Sequence, residues 1–402
     1  MKKIVKFIVI IMLIFLIGLS GYKLYQDYRI KHAKIKVELI DNLDIEVYSD
    51  IKLKNLIKNI NGKLIENKKI NTTKIGKKEI SFKYINEENI KVSYTFYINI
   101  VDSTKPLIKG PTNITLYKNS NIDINKRFFC GDNYDDKPVC EIIGDYDKDN
   151  IGTYYLTYKA TDSSKNESKI NFKLNIIENN NNNNNTNTEI KENTKTYYQD
   201  IVNNNKTKDT KIGIDISKWQ GDIDFKKLKE AKVEFAFIRV GVQTEINGEY
   251  YLDTKFKQNI EGLNKERIPV GVYFYTKVAS KKEAKKQAKW IIKQIKKYKI
   301  KLPVVFDWEN WDNYRNYNLS FYHLTQMYET FKKEIEKNGY NSMLYSSKNY
   351  LEKIWHKPSG DIWLAHYTNK TNYKGKYKVW QLCDDGIIEG INTPVDIDIM
   401  YK

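Results

Sequence analysis

Residues 304–309 read VVFDWE: Val304, Val305, Phe306, Asp307, Trp308, Glu309. Two carboxylates stand two positions apart inside a run that otherwise builds core. In a strand, residues i and i+2 share a face. Val305, Asp307 and Glu309 therefore face one way, while Val304, Phe306 and Trp308 face the other. A barrel of parallel strands makes use of both faces: the first set points inward and the second packs on helices. Asp307 and Glu309 then fall at the C-terminal end of their strand, where barrel enzymes place their chemistry.

The surrounding sequence alternates as such a barrel requires. Residues 212–217 read as a strand, and Phe225, Leu228 and Ala231 follow at helical spacing. Residues 235–240 form the next strand, 254–265 a helix, and 270–275 a third strand. Ser280 and Glu283 make a capping box, which opens a helix with Ala284, Ala288, Ile291 and Ile295 on one face. After the fourth strand, Ser320 starts a helix with Leu324, Met327, Phe331 and Ile335 inward, and Gly339 ends it. Residues 343–345, 362–367, 379–381 and 395–399 complete the strands. Regular βα alternation predicts an α/β, TIM-like barrel. The last three strands have no clear helices between them, so the barrel should be irregular at its end.

Other acids fall at equivalent places. Asp215 lies near the end of the first strand, and Asp396 and Asp398 share one face of the last. Clustered carboxylates raise one another's pKa, so one can stay protonated near neutral pH and act as a general acid. Tyr273, Tyr275, Tyr345, Trp363, Tyr367 and Trp380 fall at or near strand ends, and flat rings suit the apolar faces of sugars. Paired acids among aromatics are the equipment of glycoside hydrolysis. Taken singly, each ring fits a core equally well, and Asp307 with Glu309 fits a structural ion-pair network. A metal centre is the rival chemistry, but the four His show no ligand spacing and HExxH is absent. No metal and no cofactor are expected.

The segment GIDISKWQGDIDF at 213–225 resembles the opening signature of glycoside hydrolase family 25, the Chalaropsis-type lysozymes. The resemblance continues through FAFIRVG at 235–241, GVYFY at 271–275, VVFDWE, IWLAHY at 362–367, VWQL at 379–382 and VDID at 395–398. It covers essentially all of 211–402 and none of the N-terminal half. It implies a (β/α)5β3 barrel and a retaining muramidase without cofactor. Such an enzyme cleaves the β-1,4 bond between N-acetylmuramic acid and N-acetylglucosamine, with the substrate acetamido oxygen as nucleophile. Glu309 stands at the family's proton donor and Asp307 at the carboxylate that orients the N-acetyl group. Asp215 and Asp396 match its two remaining acids. Asp398 stands where Asn is commoner, and Cys383 replaces a usual small polar or aromatic residue.

The N-terminal half is built differently. Residues 75–102 read IGKKEISFKYINEENIKVSYTFYINIVD, and 151–178 read IGTYYLTYKATDSSKNESKINFKLNIIE, 76 residues later (151 − 75). Both show alternating strands joined by a polar turn, the pattern of a β-sandwich hairpin. The second copy is similar to bacterial immunoglobulin-like domains, and the first is more diverged. The expected organisation is 1–34 a signal anchor or signal peptide, 35–101 and 102–178 all-β immunoglobulin-like domains, and 211–402 the barrel. Between them, 179–210 holds seven consecutive Asn at 179–185 and is expected to be a disordered linker.

The N-terminus carries Lys2, Lys3 and Lys6 before an apolar run from Phe7 to Leu19, a membrane-targeting pattern with a poor cleavage site. The remainder is then exported, either held at the cell membrane or secreted to the wall. Export disposes Cys130 and Cys140 to pair as a disulfide and leaves Cys383 over. Lys and Arg number 68 against 50 Asp and Glu, a formal charge of +18. A basic surface suits anionic wall polymers, and no nucleic-acid signature accompanies it. The expected partners are peptidoglycan strands, the membrane and such polymers. The competing reading is a wall-binding or adhesion protein whose barrel is a relic.

Overall fold

The computed structural model describes residues 2–178, 196–246 and 248–402. The Asn run, and most of the segment expected to be a linker, lie outside them. The chain divides into two compact units, Met1–Ser103 and Thr104–Lys402.

The first unit begins with the helix Lys2–Lys31. Its segment Lys6–Lys31 has a mean hydropathy of 2.4 and none of its apolar window is buried, so it is long and apolar enough to cross a bilayer. Next comes a four-stranded sheet in the order Asp44–Glu46, Lys91–Val101, Gly76–Asn86, Gly62–Leu64, faced by the pair Val37–Leu39 and Ile57–Ile60. Ile80, Phe82 and Tyr84 alternate inward along the central hairpin, as period-two patterning requires.

The second unit opens with a related sandwich. Val139–Ile143, Gly152–Thr161, Glu167–Ile177 and Asn113–Tyr117 form one sheet, and Leu107–Lys109 pairs with Phe129–Gly131 in another. Phe128 stacks on Tyr158 at 4.2 Å in its core. Cys130 and Cys140 are joined by a disulfide.

The barrel follows. Its strands are β1 (Thr210–Ile216), β2 (Ala236–Gln243), β3 (Val270–Thr276), β4 (Val304–Trp308), β5 (Ser342–Ser347), β6 (Asp361–Ala365), β7 (Val379–Ile387) and β8 (Val395–Tyr401). Strands β1 to β7 run parallel, and β8 returns antiparallel between β7 and β1 to close the ring. Helices α1 (Phe225–Glu230), α2 (Phe256–Lys265), α3 (Lys281–Ile295), α4 (Phe321–Lys337) and α5 (Lys348–Lys353) link the first six strands, and none separates the last three. The domain is thus a (β/α)5β3 barrel. Val304, Phe306 and Trp308 lie in the core between barrel and helices, while Val305 packs inside with Phe237, Met343 and Trp363.

Two expectations need correction. The barrel domain begins well before 211. Thr196–Tyr197 adds a strand beside Gly386 and Ile387, and the helix Tyr198–Asn205 follows. Tyr198 is buried, and its hydroxyl donates to the Ile212 carbonyl. The polar composition of 179–210 hid this one anchoring ring. Nor does that segment hold the second sandwich apart from the barrel. The loop closed by Cys130 and Cys140 packs directly on the chain between β4 and α4. Phe129 meets Tyr314 at 5.1 Å and Phe321 at 6.3 Å. The Ser320 N–H donates to Asp136 Oδ1, the Phe321 N–H to the Asp132 carbonyl, and Arg315 to the Tyr158 hydroxyl. Burying one aromatic ring is worth about 1.5–3 kcal/mol, more than an exposed ion pair of about 0–1 kcal/mol. The rings therefore carry this docking, and the polar contacts set its register.

Candidate active site

Every strand of the barrel has its carboxyl end at one mouth except antiparallel β8, which brings its amino end there. Asp215 on β1 is paired in register with Asp396 on β8. Tyr275 on β3 is level with Asp307 on β4, which is level with Tyr345 on β5. Period-two alternation turns all of these inward. They line a cavity of about 290 Å³, together with Arg239, Tyr273, Glu309, Trp363, Tyr367 and Gln381.

Asp215, Asp307, Glu309 and Asp396 are therefore brought together. Of the rings expected here, Tyr273, Tyr275, Tyr345, Trp363 and Tyr367 line the cavity; Trp380 does not. It sits one residue out of phase on β7, in the outer core, and donates its indole N–H to the His366 carbonyl. Asp398 also misses the cavity wall. It lies one layer deeper, fully buried, and accepts the Trp363 indole N–H at 2.8 Å. Its place is to hold the Trp363 ring, which stacks on Phe237 at 4.5 Å. Cys383 is buried, and burial pushes its thiol up to about 12, far from a nucleophile's range.

Two residues of the site were passed over in the sequence. Arg239 on β2 is, among the described residues, the one cation lining the cavity, and its Nε donates to Asp253 Oδ2 at 2.7 Å. A charged residue inside the apolar run FAFIRVG was the available signal. Gln381 is a hub: its amide nitrogen donates to Asp215 Oδ2, and its amide oxygen accepts from the Tyr345 and Tyr367 hydroxyls. A polar residue in phase with the inward face of β7 was the signal there.

Burial pushes the carboxyls upward. Asp307 is raised well above its ordinary value by burial, by the charge of Glu309 and by a hydrogen bond with it. Glu309 keeps an exposed edge at the mouth; its partial desolvation there raises it, while the neighbouring Asp307 pulls it back. The two carboxyls therefore titrate as a pair, each setting the other's proton affinity. Asp215 is raised by burial and by the charges of Asp396 and Asp398. Burial and the charge of Asp384 push Asp396 up to about 7. One oxygen, Asp307 Oδ1, is buried and has no hydrogen-bond partner among the described residues. Such an orphaned acceptor costs about 1–3 kcal/mol, which a donor supplied by a ligand would relieve.

A closed barrel with acids crowded at its mouth is the architecture of many glycoside hydrolases, and comparison with known proteins agrees. Residues 214–391 match the family described as Glycosyl hydrolases family 25, and the C-terminal domain of this chain belongs to it. The chain is 27% identical over 204 residues to the uncharacterized protein YegX of Escherichia coli (strain K12), covering 46% of this chain and 68% of that one. It is 24% identical over 189 residues to an autolytic lysozyme of Clostridium acetobutylicum, covering 46% and 54%. Among solved structures, the modular autolysin LytC of Streptococcus pneumoniae, in complex with a synthetic peptidoglycan ligand, is 25% identical. It covers 61% of this chain and 56% of that chain, with a TM-score of 0.43. The catalytic domain of endolysin ply40 from bacteriophage P40 of Listeria monocytogenes is 23% identical, covering 49% and 95%, with a TM-score of 0.41. The chain thus spans little more than half of the autolytic lysozyme and of LytC.

Proposed function

We propose that this protein is a peptidoglycan muramidase, hydrolysing the β-1,4 bond between N-acetylmuramic acid and N-acetylglucosamine. The observation that carries the reading is the Asp307–Glu309 pair in a cavity walled with rings, with the buried Asp307 Oδ1 unpartnered among the described residues. An acetamido N–H arriving at Asp307 stabilises its ionised form. A proton held on Glu309 then lies next to the leaving sugar oxygen. Asp307 polarises the acetamido group, whose own oxygen attacks the anomeric carbon. Glu309 protonates the leaving oxygen and afterwards takes a proton from the water that opens the cyclic intermediate, so configuration is retained. Asp215 and Asp396 flank the developing positive charge. Tyr273, Tyr275, Tyr345, Trp363 and Tyr367 hold the sugar faces.

In the same reading the helix Lys2–Lys31 is the export signal or anchor, and the two sandwiches are immunoglobulin-like modules that carry the barrel outside the membrane. The charge of +18 supports association with anionic wall polymers. The test is digestion of purified peptidoglycan, followed by mass spectrometry of the released muropeptides. Reducing-end N-acetylmuramic acid is expected. Reducing-end N-acetylglucosamine, or no release, overturns the assignment.

A further inference from the structure

Beside the catalytic cavity lies a larger one. A cleft of about 920 Å³ runs between the disulfide loop of the second sandwich and the segment that follows Glu309. The short helix Trp311–Tyr317 lines the cleft and begins two residues after Glu309, which lines the catalytic cavity. Its Trp311 is buried against Trp308 and Tyr350, and the sandwich's Lys109 lies over the Tyr350 ring at 4.2 Å. Asp312 connects the two spaces. Its side chain lines the cleft, and its charge reaches the Tyr275 hydroxyl in the catalytic cavity. The cleft is a built joint: a Cβ at Gly131 would stand 2.6 Å from the Phe321 ring and 2.8 Å from Tyr314, so only glycine lets the loop approach this closely.

Its lining differs from that of the catalytic cavity. The cleft offers no exposed ring, since Phe128 and Tyr314 are buried. Sugars lack a platform there. It is rich instead in Asn and in charge, with Lys126, Lys137 and Arg315 exposed. Lys126 and Lys137 have no ion-pair partner among the described residues, and Arg315 donates only to the neutral Tyr158 hydroxyl. Of the acids, Asp136 is already engaged by His323 and the Ser320 N–H, and Asp123 caps the turn of helix Ile124–Arg127. Asp312, exposed on the same wall, likewise has no ion-pair partner among the described residues, so three unpaired cations face one unpaired acid.

We propose that this cleft is a second substrate subsite that takes the peptide arm of peptidoglycan, with the peptide's carboxylates on Lys126, Lys137 and Arg315. The proposal rests on the muramidase reading, because the lactyl group of the muramic acid bound at Glu309 is where the peptide departs. The sandwich is then part of the substrate-recognising surface rather than a spacer alone.

The test uses the full chain and its Lys126→Glu/Lys137→Glu variant. Two readouts are taken: the ratio of kcat/KM on peptide-bearing against peptide-stripped glycan, and binding of a soluble disaccharide tetrapeptide against the bare disaccharide. Wild-type protein should favour the peptide-bearing forms, and the variant should lower both ratios about tenfold, as expected for loss of charge-assisted contacts. Ratios that do not differ between the two proteins overturn the subsite. Absence of hydrolysis by both proteins overturns the muramidase reading, while the binding ratio still decides the cleft.

Discussion

At the barrel mouth four acids face one another, with Asp398 one layer below; at the joint with the second sandwich Asp136 faces donors. Asp215, Asp307, Glu309, Asp396 and Asp398 are all pushed upward by loss of solvent first, and neighbouring like charges add to this for all but Glu309. Partial burial also pushes Asp136 upward, but His323 and Ser320 outweigh it, and its carboxyl rests below the usual range. The residue type is the same in both places, and the count of donors against like charges decides the sign. Acids of the first kind oppose folding once ionised and are kept for chemistry. Acids of the second kind hold a joint. The two kinds can be separated by experiment.

The largest effect is expected at Glu309. Glu309→Gln keeps the size and removes the transferable proton, which should slow hydrolysis of peptidoglycan about a hundredfold to ten-thousandfold. A carboxyl with a raised pKa costs stability when ionised, so Tm at neutral pH should hold or rise. A lower Tm together with near-normal hydrolysis would place Glu309 among the acids that hold structure.

Next comes the joint. Replacing both Cys130 and Cys140 by Ala removes the cross-link that shapes the docking loop. Loss of a native disulfide typically costs about 2–4 kcal/mol, so Tm should fall by several degrees in a thermal melt without reductant. An unchanged Tm would mean that the packing of Phe129 on Tyr314 and Phe321 holds the loop unaided.

How far these two regions could be read from the sequence differs. VVFDWE fixed the orientation of β4, because period two in a strand buried on both faces leaves no other phase. The same rule placed Asp215 and Asp396 at the mouth. It failed for Trp380, taken as a strand-end ring without regard to its phase, and for Asp398, whose depth along β8 the alternation does not report. The barrel's early start was hidden because Tyr198 is one buried ring in an Asn-rich stretch. The joint was illegible for a different reason. Its contacts are between residues about 180 apart, such as Asp136 with Ser320 and His323, and no local period encodes them.

A smaller effect is expected from Asp136→Ala. The side chain is about half exposed and screened, so its hydrogen bonds should contribute about 1 kcal/mol. Its carboxyl is lowered in the folded protein, so the contribution is present above the unfolded value near 4 and disappears as pH falls through the folded one. Variant and wild type should differ in Tm at pH 6, and the gap should narrow as pH is lowered below about 4. A gap that does not change with pH would trace the effect to packing rather than to the charge.

The effect expected from Asp398→Asn has the opposite sign. Asp398 is fully buried, raised well above its ordinary value by burial and by the charge of Asp396, with its Oδ2 unpartnered among the described residues. In the unfolded chain it ionises near pH 4, whereas in the folded protein it stays protonated. Stability is therefore full below about pH 4 and is lost as pH rises towards the folded value. Asn matches the protonated acid in shape and does not titrate. Its amide oxygen can still accept the Trp363 indole N–H, so the ring beneath the catalytic cavity keeps its place. The variant should melt with the wild type at pH 4 and above it at pH 8, with a gap that widens as pH rises. A lower Tm at pH 8 would show that Asp398 is ionised and paired in the folded protein, and would move it from the acids of the mouth to those that hold a joint.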